Sequence, residues 1–228
     1  MSKIHRFISD FDLSKKELEI EGEIAHQIIK VLKLKLGEKI ELCNEKHISA
    51  MADICKIEKN SVFLKIEKII QDTKKETEIT LFCSILKKEN FEMVVQKTTE
   101  IGISKIIPII TSRTIKTGLN LERLKKIAKE ASEQSGRVIV PEISEPNEFA
   151  NVIEIAKGEN ILFDKSGSNF TINDKLKPIN LFIGPEGGWT EREIEIAKNH
   201  NFKIATLGSL TLRGETAAII STYLAVNI

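Results

Sequence analysis

The spacing of apolar residues changes along this chain, and the change divides it. In the first third, Glu23 to Lys33 places Ile24, Ile28, Val31 and Leu32 at helical spacing, with a stop near Gly37. Short runs follow at Lys39 to Cys43, His47 to Glu58 and Ser61 to Ile70. In the last of these, Val62, Leu64 and Ile66 alternate with Phe63, Lys65 and Glu67, the period of a strand with one wetter face. Several short strands in so few residues predict a compact barrel.

The stretch Gln71 to Glu78 holds no apolar residue and reads as a linker. Beyond it, strands and helices alternate. Strands are expected at Ile79 to Leu86, Lys105 to Ile110, Asn160 to Phe163, Asn180 to Ile183 and Lys203 to Leu207. Helices are expected at Asn90 to Ile101, Leu121 to Ser135, Phe149 to Lys157, Glu191 to Asn199 and Glu215 to Val226. The helix from Leu121 gathers Leu124, Ile127, Ala128 and Ala131 on one face with Leu121. This alternation predicts an α/β fold with a mostly parallel sheet covered on both faces. The expected organisation is a small β-rich domain at residues 1–71 and an α/β domain at 72–228, without repeats or low-complexity tracts.

Composition narrows the class. Hydrophobic residues at 41% and charged residues at 29% suit a globular chain, and apolar runs such as Ile106 to Ile110 are too short to cross a bilayer. The opening Met1-Ser2-Lys3-Ile4-His5-Arg6 lacks the apolar stretch of a secretory signal, so a cytoplasmic protein is expected. Cys43, Cys55 and Cys83 form no CxxC pair, which argues against a disulfide framework and against a metal site; all three lie in apolar, strand-like stretches and are expected as packing residues. Net charge is only +1, but Lys87 to Arg137 holds 11 Lys and Arg against 6 Asp and Glu. Such a surplus suits phosphate binding, and equally a solvated helix face.

The chemistry concentrates where strands end. Asn180 to Ile183 leads into Gly184-Pro185-Glu186-Gly187-Gly188-Trp189-Thr190, and a helix follows. Thr190 and Glu193 have capping-box spacing, and Trp189 is placed to staple onto Ile194. Glycines let a ligand approach the backbone without meeting a Cβ, and ligands of α/β sheets bind at carboxyl ends of strands. A tight turn needing glycine explains the same residues. No Gly-Lys-Ser/Thr ending and no GxGxxG pattern is present, which counts against kinases, ATPases and NAD enzymes. Leu207-Gly208-Ser209-Leu210-Thr211-Leu212-Arg213-Gly214-Glu215 is a second strand-to-helix loop with an Arg and a Glu two residues apart. Asp164 to Gly167 is a third polar strand exit. Glu130 to Arg137 ends a basic helix at Gly136, which on its own reads as a solvated helix end.

Together these stretches resemble the RsmE family of SPOUT methyltransferases, which methylate N3 of a uridine in 16S ribosomal RNA. The resemblance runs through His5-Arg6-Phe7, His26 with Val31-Leu32-Lys33-Leu34 and Gly37, Lys97 to Gly102, and Glu133-Gln134-Ser135 with Arg137. It continues through Ile183 to Gly188 and through Leu207-Gly208 with Leu212-Arg213 and Glu215-Thr216-Ala217. Gly214 departs from the Thr or Ala usual between the Arg and Glu, and predicts a more flexible loop. The basic helix carries Lys125-Lys126 where relatives often have a Trp and an Arg nearby.

The resemblance implies a PUA-like barrel followed by a SPOUT-type parallel sheet with a deep trefoil knot, and a homodimer whose active site draws on both protomers. It implies S-adenosyl-L-methionine as cofactor and no metal. The cofactor would be held by three strand exits: Leu162 and Phe163; Ile183, Gly184, Pro185, Glu186, Gly187 and Gly188; Leu207, Gly208, Leu210, Leu212, Thr216 and Ala217. Uridine N3 must lose a proton, for which Glu215 or Glu133 is the expected acceptor, with Arg213 and Arg137 stabilising the uridine oxyanion or holding a phosphate. Arg6, His26, Lys30 and Lys33 would follow the backbone of 16S rRNA or of the assembled small subunit. The competing readings are a non-catalytic RNA-binding assembly factor, and a SPOUT enzyme acting on another RNA. Cofactor affinity separates the first of these from an enzyme.

Overall fold

A computed structural model describes residues 4–44, 48–71, 77–115, 118–172 and 176–227. The chain forms two compact units. The first takes in Met1–Lys74 and Ser132–Ile139, the second Lys75–Ala131 and Val140–Ile228. Most of the stretch expected as a linker, residues 72–76, lies outside the described residues.

The first unit contains β1 (His5–Ile8), β2 (Glu17–Ile20), α1 (Gly22–His26), β3 (Lys39–Cys43), β4 (Ile48–Ile57) and β5 (Val62–Gln71). They make a five-stranded sheet in the order β1-β3-β4-β5-β2, with β1 parallel to β3 and the other pairs antiparallel. Alternation works as expected on β5, where Val62 and Leu64 are buried and Lys65 and Glu67 face water. Phe7, Ile28, Ile40, Leu42, Ile54 and Leu64 fill the core.

The helix expected from Glu23 to Lys33 is only partly regular. After α1 the chain widens into a π-helical turn, Gln27–Val31, with Leu32 N donating to Gln27 O at 2.9 Å. The wider turn breaks the period that would have placed Val31 beside Ile24 and Ile28. Val31 is instead 63% exposed, and Lys33 ends the segment in the left-handed region, φ 54°.

The second unit contains β6 (Ile79–Ser84), α2 (Lys88–Ile101), β7 (Lys105–Ile110), α3 (Leu121–Ser135, whose last turn belongs to the first unit), β8 (Glu142–Ile143), β9 (Asn147–Glu148) and α4 (Phe149–Ile155). It continues through β10 (Glu159–Asn169), β11 (Ile179–Ile183), α5 (Glu191–Asn199), β12 (Lys203–Thr206) and α6 (Gly214–Asn227). Its seven strands are all parallel, in the order β12-β10-β11-β6-β7-β8 with β9 also on β7. Every residue of β6 and β11 is buried, as central strands covered on both faces must be. One face packs Leu81, Phe91, Val94, Ile106 and Ala218. The other packs aromatic rings, with Phe82 and Phe182 stacked at 4.3 Å.

The strand expected to end at Phe163 runs on to Asn169. Its register shifts, so that Phe163 and then Ser168 both face Ala205 of β12. Gly167 makes this possible, because a Cβ there would lie 2.6 Å from the Ala205 backbone. Among the described residues no helix is long and apolar enough to cross a membrane.

Candidate active site

A cavity of about 730 Å³ opens at the carboxyl ends of β11 and β12 and beside the middle of β10, where its pairing with β11 ends at Phe163; an open parallel sheet places its ligand crevice at such strand ends. Its size and mixed lining suit a ligand with apolar parts and a few polar anchors. β10 supplies Phe163, Asp164 and Lys165, at and just beyond its last pairing with β11. The β11 exit supplies Ile183 through Trp189, thus Gly184, Pro185, Glu186, Gly187 and Gly188 together. The β12 exit supplies Ala205 to Leu207 and then Leu210 to Glu215, with Ala217 from the first turn of α6.

Glycine in the β11 exit is needed for close packing. A Cβ on Gly184 would sit 3.0 Å from Cε2 and Nε1 of Trp189, so the indole lies flat where a side chain would otherwise be. The indole Nε1 in turn donates to the Phe163 carbonyl at 3.0 Å. Thr190 caps α5: its hydroxyl accepts from Glu193 N at 3.2 Å, and its own N–H donates to Glu193 Oε2 at 2.7 Å. Burial pushes the Glu193 carboxyl up, but hydrogen bonds from Thr190 and Ser112 outweigh it and hold the group below the usual carboxylate range. Trp189 and Ile194 pack in one cluster, as the staple spacing predicts.

Gly214 is the first residue of α6 and has no room for a side chain. A Cβ there would meet Leu86 Cδ2 at 2.9 Å, with Gly184 O at 3.6 Å. The glycine expected to loosen the loop is therefore part of a tight contact with a fully buried leucine. Immediately after it, Glu215 is 7% exposed and lines the cavity, and its Oε2 is buried without a hydrogen-bond partner. An unpaired buried carboxyl oxygen is costly, and its residue stands on the cavity wall. Arg213, two residues earlier, lines the same cavity and is exposed.

Not every residue expected at the cofactor lies on the cavity. Leu162 is fully buried among the aromatic rings of the sheet's other face. Gly208 shapes the β12 exit, its carbonyl accepting from the Thr206 hydroxyl at 2.9 Å, and Thr216 is half-buried on α6; neither is among the lining residues. Glu133 and Arg137 belong to the first unit, where Glu133 Oε1 accepts from the Ile8 amide at 2.8 Å. Arg6 sits in that unit as well, paired to Glu41 at 2.6 Å with only 15% of its side chain exposed. His26, Lys30 and Lys33 are exposed.

Lys87, Asn90 and Arg113 line the cavity without having been singled out in the sequence, whereas Lys165 belongs to the polar stretch Asp164 to Gly167 that was. The one local signal of the first three was position, each falling within a few residues of the carboxyl end of a parallel strand. Among the described residues no group of three or more His, Cys, Asp or Glu is placed to hold a metal ion.

Comparison with known proteins agrees with this geometry. A family model described as an RNA methyltransferase domain matches residues 73–226, and one described as an RNA methyltransferase PUA domain matches residues 20–67. The ribosomal RNA small subunit methyltransferase E of Rickettsia conorii is 32% identical over 90% of this chain and 87% of its own. That of Bacillus subtilis is 28% identical over 91% of each. A crystal structure of the Neisseria gonorrhoeae enzyme of that name, bound to S-adenosyl methionine, superposes with a TM-score of 0.89 at 28% identity and covers 97% of this chain and 96% of that one. A Legionella pneumophila methyltransferase with the same cofactor bound superposes at 0.86, again at 28% identity, over 98% and 97%. The cavity at the strand exits, the two matched domains and the relatives aligned across nearly the whole chain place it in the RsmE family of RNA methyltransferases.

Proposed function

We propose that this chain transfers a methyl group from S-adenosyl-L-methionine to N3 of a uridine in the 16S RNA of the small ribosomal subunit, in the cytoplasm. The observation that carries the reading is the buried Glu215, whose Oε2 has no hydrogen-bond partner, on the wall of a glycine-cradled cavity, in a chain whose relatives are named ribosomal RNA small subunit methyltransferases. The lining fits the cofactor, because glycines at the β11 exit leave backbone exposed and apolar side chains such as Leu210 and Leu212 offer a surface for an adenine. The cofactor supplies a methyl group already activated by a sulfonium.

This chain's residues have three tasks in that reaction. The cavity holds the donor so that the uridine approaches in line, which itself provides much of the rate. Glu215 takes the N3 proton as the nitrogen attacks; its free Oε2 supports that role over Glu133, whose carboxylate is engaged by the Ile8 amide. Arg213 stabilises the negative charge that develops on the uracil oxygens. Glu133 then fixes the end of α3, and with it the backbone that presents Arg137.

The residue division 1–71 and 72–228 corresponds in this reading to RNA gripping and catalysis. Exposed His26, Lys30 and Lys33 supply the phosphate contacts, while Arg6 contributes through its pairing with Glu41. A homodimer completes the site with Arg137 of the second copy. Its support is α6, which is apolar on most sides yet leaves Tyr223 56% exposed and Ile220 partly exposed. The trefoil knot belongs to the same reading, supported by the tail of β10 pairing again with β12 after its register shift and by α6 starting against Gly184.

The test is incubation with labelled S-adenosylmethionine and 30S subunits lacking the modification, followed by nucleoside analysis. Label in N3-methyluridine of 16S RNA is expected. Label on another base or RNA would overturn the target, and absence of both transfer and cofactor binding would favour the assembly-factor reading.

A further inference from the structure

The segments that follow β6, β7, β11 and β12 meet β10 at the cavity, and the one after β7 acts on its neighbour. It carries no glycine cradle. Its contribution is Arg113, whose Nη1 donates to the Gly187 carbonyl at 2.7 Å and to the Trp189 carbonyl at 3.2 Å. The methylene stem of Arg113 lies flat on Gly187, with Cδ 3.4 Å from where a Cβ would be. A single cation thus ties down two carbonyls of the glycine-rich loop.

The turn that presents Arg113 is itself held firmly. The Thr114 hydroxyl accepts from Thr111 N at 2.9 Å and meets the hydroxyls of Thr111 and Ser84, each at 2.9 Å. Ser84 is fully buried at the end of β6. Ser112 N donates to Glu193 Oε1 at 2.9 Å, so the same turn also grips the carboxylate that caps α5. The glycine-rich loop is therefore fixed at two points, its carbonyls by Arg113 and its exit by Ser112 through Glu193. Glycines give that loop freedom it would otherwise spend on many shapes, and ordering it on binding would cost affinity.

We infer that Arg113 is a positioning residue: it locks the glycine-rich loop in its ligand-accepting shape before any ligand arrives, and so sets cofactor affinity. The inference rests on the reading of the cavity as the cofactor site, but the shape of the loop is measurable without cofactor. Hydrogen bonds from a charged donor to two carbonyls justify an effect of about tenfold or more.

The first measurement is amide hydrogen exchange on ligand-free protein. The Gly188 amide is bonded to the Pro185 carbonyl at 2.8 Å inside the loop. Arg113→Ala is expected to speed its exchange by about tenfold while amides of the β4–β5 ladder keep their rates. Unchanged Gly188 exchange would overturn the inference. The second is titration with S-adenosylhomocysteine. Arg113→Ala is expected to bind it about tenfold more weakly and to raise the cofactor KM, with kcat at saturation within about twofold of wild type. Methylguanidinium is expected to restore part of the affinity, which it would not do for a general folding defect. Arg113→Lys, with one compact ammonium in place of a planar fork, is expected to fall between the two and keeps the test open if the alanine variant does not fold. An unchanged cofactor KM with a raised RNA KM would make Arg113 an RNA contact and overturn the inference. Wild-type protein that binds no S-adenosylhomocysteine would sink the cofactor reading instead, and the exchange measurement would still decide the role of Arg113.

Discussion

The indole Nε1 of Trp189 donates to the backbone carbonyl of Phe163 at 3.0 Å, joining the exit of β11 to the middle of β10 on the wall of the cavity both line. Both partners are buried, and the ring also fills the space over Gly184 that a Cβ would occupy. Trp189→Phe keeps most of the apolar contact but strands the Phe163 carbonyl, which should cost about 1–3 kcal/mol of stability and weaken cofactor binding. Chemical denaturation and titration with S-adenosylhomocysteine measure the two effects. Trp189 is also the sole tryptophan of the chain, so cofactor binding in the proposed cavity should shift its emission. Binding by calorimetry with an unaltered spectrum would move the cofactor elsewhere.

Gly214 and Leu86 are interlocked. Alanine at position 214 should destabilise this chain by about 1 kcal/mol, the low end for overpacking, because Leu86 is fully buried and must shift. In a Leu86→Ala background the same Gly214→Ala change should cost nothing measurable, giving a coupling above about 0.5 kcal/mol in a double-mutant cycle. Equal costs in both backgrounds would show that the contact is not what excludes alanine.

Glu193 makes stability depend on acid. Its folded-state pKa lies below the ordinary 4.5, because bonds from Thr190 and Ser112 outweigh the burial that pushes it up. A lowered pKa contributes stability above the unfolded-state value, and that contribution is lost as pH falls through the folded-state value. Glu193→Gln should therefore melt well below wild type at pH 7, and the gap should narrow steadily below about pH 4.5. A gap independent of pH would mean that the charge on Glu193 contributes nothing.

The cysteines should divide by reactivity. Burial pushes the Cys43 thiol up to about 12, with Glu41 adding to the effect, and raises fully buried Cys83 further, with Glu186 and Glu215 contributing. Cys55 is exposed. A chromogenic disulfide reagent at pH 8 should modify Cys55 quickly and the other two only after denaturation. Rapid modification of all three in native protein would contradict the burial of Cys43 and Cys83.

Much of the fold was legible along the chain because burial writes itself into local periodicity. The expected bounds of α3, α5, β3 and β7 coincide with the structure, since each puts one apolar face or run against a core. The capping box at Thr190 and Glu193 was legible too, being a contact three residues long. The π-helical turn was not, because its apolar residues carry the spacing of an ordinary helix until Val31 swings out.

What the sequence determined by itself, then, was the kind of each element, the division into a β-rich part and an α/β part, and the loops that carry glycine and charge. Only the tertiary structure decided the strand order β12-β10-β11-β6-β7-β8, and with it which strand exits face one cavity. It also decided that Glu215 lines that cavity with its Oε2 buried and without a hydrogen-bond partner, while Glu133 Oε1 accepts from the Ile8 amide. It brought Arg113 to Gly187, across 74 residues of chain. Apolar spacing records whether a residue is buried, but not which distant residue it meets; that depends on pairing and register set between segments far apart in the chain.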